Sequence, residues 1–80
     1  MDTPTTPIYG ADTERRRQAF LVCAAGLALR HDRYLLEEGK TIEECYALEL
    51  TEYGSRIEIH RDVPMDIYEE IHTCWKHCFG

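Results

Sequence analysis

The stretch from Asp12 to Glu38 constrains this chain more than any other, because its centre, Ala19-Phe20-Leu21-Val22-Cys23-Ala24-Ala25-Gly26-Leu27-Ala28-Leu29, is apolar and free of proline. Alanine and leucine are strong helix formers, and Asp12 or Thr13 can accept from the free amides of a first helical turn. Gly39 follows the last periodic residues and suits the left-handed residue that ends helices. One stripe runs Phe20, Ala24, Leu27, His31 and Tyr34, and the next runs Leu21, Ala25, Ala28 and Leu35. A helix apolar around its middle needs protein on several sides. The stretch is therefore expected to be one long central helix, roughly 13–38.

Beyond Gly39, Thr41 and Glu44 form the Thr-x-x-Glu signature of a capping box. Ile42, Cys45, Tyr46, Leu50 and Tyr53 share a broad helical face, so a helix over 41–53 is expected. Tyr46, Leu48 and Leu50 also alternate, and a turn near Gly54 could pair them with Ile57 and Ile59 in a hairpin near 46–60. Arg56 to Arg61 alternates as a short strand, which a helical 41–53 would leave without a partner in the chain. Asp62-Val63-Pro64 opens a last helix, 64–79, with Asp66, Glu69 and Glu70 early and Lys76 and His77 late, as the helix dipole favours. The expected fold is mainly α: a compact domain of three helices and a short extended segment over 12–80, preceded by a flexible tail over 1–11. An α+β arrangement with the hairpin is the alternative.

Charge narrows the function classes. Nine basic and fifteen acidic side chains give a net charge of −6. Residues 1–40 are balanced, so residues 41–80 carry the whole excess. Phosphate neutralisation needs clustered Lys and Arg, which argues against direct nucleic-acid binding and leaves a basic protein surface as the fitting partner. The arginine run Arg15-Arg16-Arg17 has the wrong sign for a helix start and is expected to be a solvated end. The apolar run at 19–29 is too short to span a bilayer, and Met1 to Ala11 lacks the pattern of a secretory signal. A cytoplasmic setting with reduced cysteines is expected, since Cys23, Cys45, Cys74 and Cys78 match no familiar disulfide framework.

Few residues suggest chemistry. His72, Cys74, His77 and Cys78 are the right types for zinc, and three of them lie at helical spacing; a metal-stabilised module is the alternative reading. The usual pair of ligand knuckles is missing, and buried helical cysteines commonly act as small hydrophobes. Carboxylate pairs at 37–38, 43–44 and 69–70 diverge by about a hundred degrees on a helix, so they are not acid–base dyads. No catalytic residue and no cofactor are expected, and the chain is read as not an enzyme.

What remains is a small, acidic, helical regulatory protein acting through protein–protein interaction, expected to be a homodimer because Ala24, Ala25, Gly26 and Ala28 permit close helix approach. Glu43, Glu44, Glu49, Glu52, Glu69 and Glu70, with Tyr46 and Tyr53, are the candidate partner-binding residues. In size and charge the chain resembles the small inhibitors carried by phages and plasmids, among them anti-CRISPR and antirestriction proteins. That resemblance covers no motif. It implies that Glu58, Asp62 and Asp66 would join these glutamates in mimicking phosphates on a target's nucleic-acid surface.

Overall fold

A computed structural model describes residues 10–51 and 54–79. Of the flexible tail expected over 1–11, residues 1–9 lie outside the described residues, as do the candidate residues Glu52 and Tyr53, whereas Gly10 and Ala11 belong to the first helix. The fold is mainly α, with a small hairpin: α1 (Gly10–Arg30), α2 (Asp32–Glu38), a single 3₁₀ turn (Ile42–Cys45), β1 (Tyr46–Thr51), β2 (Gly54–Ile59) and α3 (Met65–Phe79).

The long helix forms, with its first turn neutralised locally. Arg16 donates to Asp12 at 3.0 Å, and Arg17 pairs with Glu14 at 2.7 Å. The Arg17 hydrogen bond holds the Glu14 carboxyl below its ordinary range. One residue interrupts the helix. His31 leaves helical geometry at φ −117° and ψ 30°, although His31 N still donates to Leu27 O and Leu35 N to His31 O. Neither Gly nor Pro marks the break; it coincides with a 2.7 Å hydrogen bond between the His31 ring and Glu70 of α3. The expected helix 13–38 is thus two helices hinged at His31.

Gly39, at φ 66°, ends α2 as anticipated. Gly39 N donates to Leu36 O and Lys40 N to Leu35 O, the paired bonds of a Schellman motif. Thr41 N then donates to Glu44 Oε1 at 3.3 Å, but the capping box starts a 3₁₀ turn and no α-helix follows. The expected helix 41–53 is corrected: Tyr46 to Thr51 is a strand. It pairs antiparallel with β2, placing Tyr46 opposite Ile59, Leu48 opposite Ile57 and Glu49 opposite Arg56. Pairing satisfies the backbone of Arg56 to Ile59, which a helical neighbour would have left open, and this outweighs the helix preference of Ala, Leu and Glu. His60 N donates to Cys45 O at 2.8 Å and extends the ladder to the 3₁₀ turn.

α3 runs antiparallel to α1. Phe79 lies by Phe20 with ring centres 6.3 Å apart, Cys74 is bonded to Cys23, and Glu70 reaches Arg30 at 2.8 Å. Phe20, Ala24, Leu27, Leu35, Ile42, Cys45, Val63, Ile67, Ile71 and Cys74 form the buried core. Full burial of a side chain such as Phe20 or Ile71 contributes about 1.5–3 kcal/mol. The Cys23–Cys74 disulfide corrects the expectation of four reduced thiols; Cys45 and Cys78 are free. Among the described residues, no helix is long and apolar enough to cross a membrane.

Candidate protein-binding groove

The 3₁₀ turn and the hairpin meet α3 at a shallow groove of about 510 Å³. Register explains its composition. Alternation along β1 and β2 turns Tyr46, Leu48, Ile57 and Ile59 toward the helices, while Ala47, Glu49, Arg56 and Glu58 face outward. Ala47 opposite Glu58 is a small residue beside a long one, and this leaves room at the hairpin base. Glu44, Glu58, His60, Arg61 and Tyr68 supply the polar and aromatic lining. The exposed strand face continues into a second depression of about 330 Å³ lined by Ala47, Leu48, Glu49, Arg56 and Glu58.

Tyr68 is the exposed aromatic ring of this surface, 38% exposed and stacked on His72 with ring centres 6.5 Å apart. His72 in turn lies 5.6 Å from Trp75, so the three rings form one array along a face of α3. Tyr46 sits deeper. Its ring meets the Phe20 ring edge-on at 5.1 Å, and its hydroxyl is buried with no hydrogen-bond partner among the described residues. Burial, then the nearby Glu43 and Cys45, raise the Tyr46 phenol above its ordinary value. Burial likewise raises the Cys45 thiol, against the opposing pull of Lys40. A thiol held protonated is a poor nucleophile and here packs as a small apolar group.

Of the residues anticipated from sequence, the groove gathers Glu44, Tyr46 and Glu58. Glu43 is exposed beside Glu44 on the 3₁₀ turn, and Glu69 is exposed on α3. Glu49 faces out but is tied to Arg56 at 3.0 Å. Glu70 is not an open acid: Arg30 Nη2 and the His31 ring hold its two oxygens at 2.8 and 2.7 Å. It clamps the helix break to α3. His60, Arg61 and Tyr68 were missed as site residues, because hairpin pairing brings His60 and Arg61, and the packing of α3 brings Tyr68, beside Glu44 and Glu58.

The proposed metal ligands do not converge. Cys74 is consumed by the bond to Cys23, His72 is stacked on Tyr68 and lies tilted against Trp75, and Cys78 packs against the core. His77 is exposed. Among the described residues, no group of three His, Cys, Asp or Glu side chains is placed to hold a metal ion.

No protein-family model matches this chain, and comparison with curated proteins and with solved structures finds no match either.

Proposed function

We propose that the protein is a non-catalytic binding protein whose groove, formed by the 3₁₀ turn, the hairpin base and Tyr68, receives a basic segment of a partner protein. The observation that carries this reading is the pairing of an exposed aromatic ring with two carboxylates. Tyr68 lies in one groove with Glu44 and Glu58. Aromatic side chains supply contact area at small entropic cost, and flanking acids select a cationic partner and speed its approach. A partner surface that normally holds nucleic acid meets this description, so inhibition by occupying such a surface is the activity that follows.

The test compares capture from lysate of the source cell by the wild-type chain, by Glu44→Lys with Glu58→Lys, and by Tyr68→Ala. The reading expects a protein retained by wild type, displaced by added polynucleotide, and lost from both variants while their circular dichroism stays unchanged. Equal retention by the charge-reversed chain would show that the groove is not the binding surface.

A further inference from the structure

A second surface lies on the side of α1 turned away from the core. Phe20, Ala24 and Leu27 are buried, whereas Val22 is 72% and Leu29 80% exposed. Val22 and Leu29 are two turns apart on one line of the helix, with Ala25 and Gly26 exposed between them. A Cβ at Gly26 would meet nothing within 4 Å, so the space over the centre of the stripe is open. Two large aliphatic side chains bracketing two small residues make a surface that can take another helix closely. Ala24, counted among the small residues available for such approach, is 1% exposed and belongs to the core instead.

We propose that the occupant of this stripe is the same stripe of a second chain, antiparallel about a two-fold axis near Ala25 and Gly26. Charge favours it, and the spacing of the stripe sets the axis. Val22 and Leu29 are evenly disposed about that midpoint, so an antiparallel copy sets each Val22 against a Leu29. Three arginines against two carboxylates leave Asp12 to Gln18 slightly positive; at the other end Arg30 is paired with Glu70, and three carboxylates against Arg33 and Lys40 leave Asp32 to Lys40 slightly negative. Antiparallel packing brings these unlike ends together; parallel packing opposes like to like. Contacts through residues 41–80 would instead juxtapose two surfaces that carry the chain's entire excess of −6. None of the stripe residues lines the groove, so the pairing stands independently of the groove's partner.

Sedimentation equilibrium of the full chain tests this. The wild-type mass is expected to approach that of two chains with rising concentration, and Leu29→Glu and Val22→Glu are each expected to halve it with helicity unchanged. Orientation follows from thiol crosslinking in a Cys78→Ser background: Val22→Cys mixed with Leu29→Cys should crosslink, and Val22→Cys alone should not. A single-chain mass at every concentration, a dimer surviving both glutamates, or efficient crosslinking of Val22→Cys to itself would each overturn the proposal.

Discussion

His31 and Glu70 are 39 residues apart in sequence, yet the imidazole Nε2 lies 2.7 Å from Glu70 Oε1, and this contact sits at the one residue where the long helix leaves helical geometry. The same carboxylate accepts from Arg30. Three functional groups from two helices are thereby joined at a single point.

Removing that point should loosen the joint more than the core. Glu70→Ala is expected to cost about 1 kcal/mol, the range for partly exposed hydrogen-bonded charges after solvent screening. A double-mutant cycle with His31→Ala, read by urea unfolding, should give a coupling energy above zero. Strict additivity would mean that the contact contributes nothing to the joint.

Denatured, unreduced protein should titrate as two thiols, those of Cys45 and Cys78. Cys23→Ser with Cys74→Ser is expected to lower stability by about 2–4 kcal/mol, because the bond closes a long loop in the unfolded chain. A count of four thiols in protein isolated under alkylating conditions would show that the bond is not formed in the source cell.

Tyr46→Phe removes a buried hydroxyl that has no partner among the described residues and leaves the ring packed on Phe20. Such a change is expected to be neutral or to stabilise by about 1 kcal/mol, since an unsatisfied polar atom costs about that much or more. Phe20→Ala empties the centre of the core and is expected to cost about 3–5 kcal/mol. Thermal unfolding of both variants separates the two outcomes in sign.

Alkaline pH should destabilise the fold through Cys45. Burial raises its folded value above the ordinary 9.0, so the two states bind equal protons well below that pH. Above it the unfolded chain releases the proton first, and stability falls as pH rises toward the folded value, at up to about 1.4 kcal/mol per pH unit. Tyr46 adds a fall of the same sign above its ordinary 10.0. Cys45→Val should flatten the first part of the decline whatever its effect at neutral pH. An unchanged slope would assign the decline to other groups.

Local signals in the sequence were read correctly where local physics decides the outcome. Gly39 stops α2 in the left-handed region, Pro64 precedes α3, and Arg56 to Ile59 forms a strand. Residues 46–51 went the other way from the favoured reading because two periodicities fit them, and only pairing with β2 decides between them. The His31 break and the Cys23–Cys74 bond are long-range events. Each depends on which turn of α3 faces which turn of α1, and no residue type announces that. The groove was legible only in part for the same reason: Glu44 and Tyr46 carry local marks, whereas Arg61 becomes a neighbour of Glu44 through the hairpin and Tyr68 a neighbour of Glu58 through the packing of α3.

The Cys23–Cys74 bond also divides the chain topologically. It closes a covalent ring spanning a sequence separation of 51, which contains α2, the hairpin and most of the buried core. Tension applied at the two ends would peel the first part of α1 and the last turn of α3 and then meet a closed circuit. The extension withheld is about 170 Å, taking roughly 3.4 Å for each residue of a taut chain. In a pulling experiment the oxidised protein should therefore be mechanically short, and a reductant should release that hidden length as a single discrete step.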